Sequence, residues 1–538
     1  MPDVDVVVIG GGATGAGVLR DLAMRGLRAA LVERADFGSG TSGRYHGLLH
    51  SGARYVVHDP ESARDCAREN AVIRRIAPAC LELTGGYFVA TPDDPLDYAE
   101  RFVPACAAAG VEVDEVAPAA LLDAEPLLNR RIWRAFSVAD ASLEPWELID
   151  ANLASARAHG AEAWRYTRLT RIVTGDDGAV AGVELEAGRT GERRTIACSA
   201  VVNAAGAWAG QVAALAGARL GMRPGKGAML VMNRRLTSAV VNRLAPAGDG
   251  DILVPVHTVS ILGTTDVEVA DPDDVRVTDE EVRALLADGD RLVPGLSGSR
   301  VVRAYAGCRP LYDEADVDAA HESREISRAH HVVDHGQRDG IRGLWSIVGG
   351  KLTTYRLMAE QTVDAVAGTL GVAAACRTAD EVLPGSEEGR SYWLGDRLAA
   401  LEAEGGGDAD LVCECEIITS RQLQAELDAH PDSTLDDLRR ATRLGMGPCQ
   451  GAFCTCRAAA LLSDRQGMGP NRSATPDPNA ALLAFLAERV RGTRAIAWGD
   501  QLAELWLEAG VYRGTLAVDT IGAAGNGSQD GAPSHAEP

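Results

Sequence analysis

The chain has 538 residues, a formal net charge of −23, 46% apolar and 24% charged residues. That length makes roughly three to four domains, and near-average apolar and charged fractions exclude wholesale disorder and collagen-like or low-complexity architectures. An acidic surface repels phosphate backbones and anionic lipid, so no nucleic-acid partner and no polybasic membrane attachment is expected, and an anionic substrate needs a local cluster of cations.

Val4 to Ile9 is a valine-rich run with no basic leader before it. No stretch reaches the ~18 uninterrupted apolar residues of a membrane-spanning helix. The expectation is a cytoplasmic protein whose thiols stay reduced. The first run predicts a buried parallel strand, Gly10 to Gly15 breaks it, Thr14 to Arg25 resumes at helical spacing, and Leu27 to Glu33 predicts a second strand. Gly10, Gly12 and Gly15 then form a G-x-G-x-x-G fingerprint. Gly10 makes the tight turn, Gly12 lets a pyrophosphate approach the backbone, and Gly15 allows close packing of helix on strand. Glu33, 18 residues past Gly15, is placed to accept from ribose hydroxyls. The fingerprint alone leaves FAD and NAD open. The following loop, Gly38 to Arg44, offers the amides and hydroxyls of Thr41, Ser42 and Arg44 to an extended dinucleotide, the plain alternative being ordinary surface-turn chemistry.

Further helical spacing covers Pro60 to Ala77, Pro145 to His159, Asp279 to Ala287 and Thr354 to Val366. Strand-like runs fall at Ala179 to Glu186, Ala200 to Ala204, Ile252 to Val256, Val259 to Leu262 and Leu344 to Val348. The fold class is therefore mixed α/β. Pro384-Gly385-Ser386 closes this 1–385 body. Residues 386–410, with Gly405-Gly406-Gly407, predict a linker, 411–465 a short cysteine-bearing helical unit, 466–520 a helical C-terminal segment and 521–538 a disordered tail. Asn479 to Trp506 reads as helical. Its apolar series Ile496, Trp498, Leu502, Leu505, Trp506 and Ala509 is expected to pack back on the protein, the alternative being a docking face for a partner protein.

Five of the eleven cysteines fall between Cys413 and Cys456. Cys413 and Cys415 make C-x-C, and after a 33-residue spacer Cys449 and Cys454 make C-x4-C. Four thiolates hold either a [2Fe–2S] cluster or one zinc ion, and zinc modules seldom use the tight C-x-C. Both pairs precede helical stretches whose N-termini stabilise anionic sulfur. Cys456 leaves the fourth ligand open.

Several motifs now appear in order: the G-T-S-G-R loop, His46-Gly47-Leu48-Leu49-His50-Ser51-Gly52-Ala53-Arg54-Tyr55, Val202-Asn203-Ala204-Ala205-Gly206-Ala207-Trp208, Gly263-Thr264-Thr265-Asp266, Arg303 to Leu311 and Gly349 to Arg356. Together they resemble the FAD-dependent glycerol-3-phosphate dehydrogenases, in particular the catalytic subunits of the anaerobic type, over residues 4 to about 516. The chain departs from them at Cys308, where the family has an aliphatic residue. The resemblance implies a Rossmann-like FAD-binding domain of the D-amino-acid oxidase type, with FAD-binding segments near 1–60, 145–225 and 300–385 and an interleaved β-rich substrate domain. It also implies a C-terminal BFD-like [2Fe–2S] domain, and cofactor contacts at Ala205, Gly206, Gly350, Leu352 and Thr353. The implied reaction oxidises sn-glycerol 3-phosphate to dihydroxyacetone phosphate. Electrons are then implied to leave through the cluster to an electron-transfer or membrane-anchor partner and on to the quinone pool, at the inner face of the membrane.

Oxidising a secondary alcohol needs a base for its proton and cations for the substrate anion. Arg54, Tyr55, Arg309 and Lys351 are the expected substrate contacts, and His50 is the first choice of base, with His46, His257 and a deprotonated Lys351 as rivals. Only Lys226 and Lys351 are lysine among the 53 basic residues. Source bias accounts for most of that skew, yet both positions suit a compact ammonium that arginine does not imitate. The competing functions are a flavin oxidoreductase acting on an amino or hydroxy acid, and a cluster-bearing redox sensor without turnover.

Overall fold

Strands covered on both faces read as near-continuous apolar runs, and Val6–Ile9, Ala29–Val32 and Ala200–Asn203 are buried at every position. In the computed structural model, which describes residues 2–313, 328–403, 411–468 and 476–518, these runs form the centre of a six-stranded sheet. Its order is His330–Asp334, Leu344–Gly349, Ala200–Asn203, Val6–Ile9, Ala29–Val32, Glu162–Trp164. Neighbours are parallel except for the antiparallel His330–Asp334 edge. Side-chain alternation splits the central strand between two layers. Val6 and Val8 pack toward Leu19 and Leu22 of helix Ala13–Met24, Leu153 of helix Pro145–Ala158 and Tyr355 of helix Tyr355–Thr369. Val7 and Ile9 pack toward Leu169, Val183 and Leu185 of a three-stranded antiparallel sheet.

A second, nine-stranded sheet takes its strands from Gly86–Ala90 through Val301–Tyr312, interleaved in sequence with those of the first. Helix Asp279–Leu292 leans on it and begins with a capping box formed by Thr278 and Glu281.

The chain divides into two compact units, Met1–Ser299 with Ala304–Asp396, and Arg300–Arg303 with Arg397–Pro538. In the second, helices Ser420–Ala429, Leu435–Thr442, Cys454–Met468 and Pro478–Thr493 enclose a core of Leu423, Leu427, Leu438, Leu462 and Phe485. Three expectations change here. Leu394–Ala403 inside the expected 386–410 linker is a helix, because Leu394, Leu398 and its alanines are good helix formers whatever the glycines beyond them do. The predicted 479–506 helix is two helices, Pro478–Thr493 and Gly499–Gly510, with a short 3-10 turn and an extended Trp498 between them. Of the apolar series, Ile496 is buried and Trp498 and Leu505 are half-buried, while Trp506 is 73% exposed, so the face is covered only in part. Gly405-Gly406-Gly407 and the 521–538 tail lie outside the described residues. Among the described residues no helix is long and apolar enough to cross a membrane.

Candidate active site and thiol cluster

The turn after Val6–Ile9 is shaped by steric necessity. Gly10 has φ +109°, and a Cβ there would lie 2.6 Å from Ala204 O, while one on Gly15 would lie 1.9 Å from Gly10 O. Gly12 faces Ser42, whose Oγ would be 3.0 Å from an added Cβ and accepts from Ala13 N at 3.0 Å. Glu33 accepts from Gly11 N at 2.8 Å and from Ala35 N at 2.9 Å, and burial raises its pKa.

These residues open into a cavity of about 1240 Å³. Its wall carries Gly10, Gly12, Glu33, Thr41, Ser42, Arg44, Ala205, Gly206, Gly350, Leu352 and Thr353, and also His46, His50, Arg54, Tyr55, Arg309 and Lys351. Two expected groups are elsewhere. Gly15 lies beneath the turn as a packing contact, and His257 stacks on Tyr392 with ring centroids 3.9 Å apart.

The cationic part of the cavity is tightly bonded. Arg309 donates to Asp266 Oδ1 at 2.9 Å and to Thr265 O at 3.0 Å. Arg54 pairs with buried Asp251. Lys351 Nζ stands 4.2 Å from the Tyr55 ring centroid and donates to Arg328 O at 3.3 Å. Arg328 lines the same cavity, with Nη2 3.5 Å from Asp266 Oδ2. Nη1 of Arg54 and Nη1 of Arg328 are buried and have no hydrogen-bond partner among the described residues. His50 lies 5.4 Å from Tyr55 and 5.8 Å from His46 between ring centroids. Burial, with His46, Lys351 and Arg54 nearby, holds His50 well below its ordinary pKa, and burial pulls His46 down to about 3. Burial also lowers Lys351 and pushes Tyr55 up to about 12.

In the second unit the thiols meet two by two. Cys415 and Cys449 are 4.0 Å apart at sulfur. Cys454 donates to Cys413, which that bond brings down to about 6. Among the described residues no three His, Cys, Asp or Glu side chains converge on one ion. Two pairs suit two irons, each taking two thiolates, better than one tetrahedral zinc.

The FAD dependent oxidoreductase family matches residues 5–356, and the BFD-like [2Fe-2S] binding domain family matches 411–464. The A subunit of anaerobic glycerol-3-phosphate dehydrogenase from Escherichia coli (strain K12) is 42% identical over 96% of this chain and 97% of its own length. The chain belongs to the family of anaerobic glycerol-3-phosphate dehydrogenase A subunits. The A1 subunit of Haloferax volcanii, within the same family, is 41% identical over 98% of this chain and 92% of its own length. The glycerol-3-phosphate dehydrogenase from Bacillus halodurans, solved in complex with FAD, shares the fold at a TM-score of 0.67 and 24% identity, covering 92% of this chain and 96% of that one.

Membership makes FAD and a [2Fe–2S] cluster the cofactors, and the chain fits both. The glycine turn, where a Cβ on Gly10 would collide with Ala204 O and one on Gly12 would crowd Ser42 Oγ, opens onto the large cavity, and the thiols stand in two pairs, as two irons would need. Sequence reading missed Arg328, Asp251 and Asp266 as site residues. Asp266 ends the Gly263-Thr264-Thr265-Asp266 motif, which marked the stretch without assigning its carboxylate. Arg328 sits in no motif, and its place depends on the sheet edge it precedes.

Proposed function

We propose that the chain oxidises sn-glycerol 3-phosphate to dihydroxyacetone phosphate. The observation that carries this reading is the pair of buried guanidinium nitrogens, Arg54 Nη1 and Arg328 Nη1, that have no partner among the described residues, in a cavity that also holds Arg309 and Lys351. A phosphate accepts from several such donors at once and carries the charge that four cations need beyond Asp251 and Asp266. A carboxylate substrate of the amino-acid or hydroxy-acid kind supplies half the charge and fewer oxygens.

Arg54, Arg309, Arg328 and Lys351 grip the phosphate and so fix the C2 hydroxyl of the glycerol, while Tyr55 lines the wall. His50 takes the hydroxyl proton. It is neutral at physiological pH because burial disfavours its charge, and the incoming dianion raises its proton affinity toward the working range. Arg309 and Lys351 stabilise negative charge at the reacting carbon's oxygen as that proton leaves. When bound, FAD supplies the two-electron acceptor for the C2 hydrogen and the [2Fe–2S] cluster carries the electrons on singly.

Cys413 with Cys454, and Cys415 with Cys449, are the cluster ligands in this reading. Residues 1–385 act as the FAD-dependent unit and 411–465 as the cluster domain. The Escherichia coli relative is named as one subunit of its enzyme, which implies others; we place the electron exit in such a partner, docked at the inner membrane face and feeding quinone.

The test is anaerobic mixing of the FAD-loaded protein with sn-glycerol 3-phosphate while the flavin visible band is recorded. Bleaching by this substrate, and not by glycerol, glycine or lactate, is expected. An unchanged band with bleaching by an amino or hydroxy acid overturns the reading.

A further inference from the structure

Arg489 lies outside the 411–464 segment that matches the [2Fe–2S] family, yet it donates to the backbone carbonyl of Cys449, one of the four thiol residues. We propose that Arg489 is a positioning residue for the cluster and raises its reduction potential, an inference that rests on the ligand assignment above. Helix Pro478–Thr493 brings it there. Phe485 of that helix is in the core with Cys413 and Cys454 and packs on the ligand loop so closely that a Cβ on Gly451 would lie 2.7 Å from its ring. One turn further on, Arg489 is 7% exposed and its Nη1 donates to two successive carbonyls, Cys449 O at 3.0 Å and Gln450 O at 2.8 Å.

Those bonds set the loop's geometry. A trans peptide points its N–H opposite to its C=O, so drawing two carbonyls toward Arg489 turns the N–H groups of Gln450 and Gly451 the other way. Gln450 and Gly451 adopt left-handed φ values of 50° and 90° to allow it. The guanidinium is held from behind by Glu508, which accepts from Nε at 3.1 Å, and Tyr512 donates to Ala452 O at 2.8 Å on the same loop. A C=O group of a ligand cysteine therefore meets a buried cation. Reduction adds one negative charge to the cluster, and a fixed positive charge beside it favours the reduced state, with Glu508 damping the effect because it stands on the far side.

The experiment uses the full, reconstituted protein and follows the cluster by electron paramagnetic resonance during a dye-mediated redox titration. Iron and sulfide are counted first in the wild type. Two of each per chain upholds the ligand assignment, and their absence overturns that assignment separately from the role of Arg489. At the wild-type midpoint half the clusters are reduced; in Arg489→Met that fraction falls to about one in ten, and Arg489→Lys recovers part of it. Glu508→Gln moves the midpoint the opposite way, since the guanidinium loses its counter-charge. A wild-type midpoint in Arg489→Met with full iron and sulfide overturns the proposal. Should that variant lose its iron, Glu508→Gln decides, and a midpoint there equal to or below wild type overturns it.

Discussion

Lys226 and Lys351 share a residue type and a buried setting, and differ in every partner. Lys226 Nζ reaches Glu281 Oε2 at 2.9 Å and Arg276 O at 2.8 Å. Glu281 in turn accepts from Thr265 Oγ1 at 3.0 Å and from Thr278 N at 2.9 Å. Lys226 thus has a carboxylate and a carbonyl, and it is not part of the cavity wall. Lys351 faces the cavity, where among the described residues it meets a ring and one carbonyl, and burial lowers its pKa. A matched buried ammonium holds structure together, whereas one short of acceptors is held ready for an anion. The scarcity of lysine pointed to both positions, and only the second belongs to the chemistry proposed.

The largest effect expected from this contrast is on stability. Lys226→Met removes the cation and leaves Glu281 buried, so unfolding free energy drops by about 3–5 kcal/mol, read from urea denaturation of the FAD-loaded protein. Lys226→Met with Glu281→Leu together should recover part of it, the lost capping box at Thr278 keeping the rest, and no recovery would mean that the loss does not come from an unpaired Glu281. Lys351→Met comes next. It should slow flavin reduction by about 10²–10³-fold, the scale for losing one preorganised donor, with FAD binding and stability little changed. Lys351→Arg restores charge without a compact ammonium and should recover only part of the rate.

Arg328→Gln sharpens the same contrast on the binding side. A charge-assisted hydrogen bond contributes about 1.5–3 kcal/mol, so KM for sn-glycerol 3-phosphate should rise about 10- to 100-fold with a smaller change in kcat. A KM within twofold of wild type would remove Arg328 from the phosphate grip.

The contrast also explains what could be read from residues alone. Val6–Ile9 and the Gly10 to Gly15 turn were legible because burial on both faces leaves an apolar run, and because Gly15 has no room for a side chain against Gly10 O. The Cys413 to Cys454 spacing was legible for a similar reason, since the four thiols belong to one small unit, Cys415 beside Cys449 and Cys413 beside Cys454. Asp251, Asp266 and Arg328 were not, because each acquires its meaning from a partner on a distant strand or loop. Lys226 could not be told from Lys351 until Glu281 was seen beside one of them. Trp506 shows the limit of periodicity, which identifies an apolar face and says nothing about what covers it.

The smallest effect expected is in pH dependence, and it separates cavity histidines from a structural one. His46, His50, His330 and His335 are all held below the ordinary value of 6.5, chiefly by burial. A lowered pKa in the folded state means that the unfolded chain takes up protons the folded chain refuses. Stability is therefore complete above about 6.5 and is lost as pH falls through the window toward the folded values, which for His46 is about 3. At pH 5.5 keeping His46 neutral costs about 1.4 kcal/mol. His335 is bonded to Asp339 and to Ser346 Oγ at 2.8 Å, whereas His46 Nδ1 is buried without a partner. His46→Gln should thus flatten the fall in urea midpoint between pH 7.5 and 5.5 without lowering stability at pH 7.5. His335→Gln should lower stability at both pH values, because it breaks a satisfied network. Saturating sn-glycerol 3-phosphate should also flatten the wild-type fall, since the dianion raises the proton affinity of His46 and His50. The same steep fall with and without substrate would mean that the anion does not bind beside those two rings.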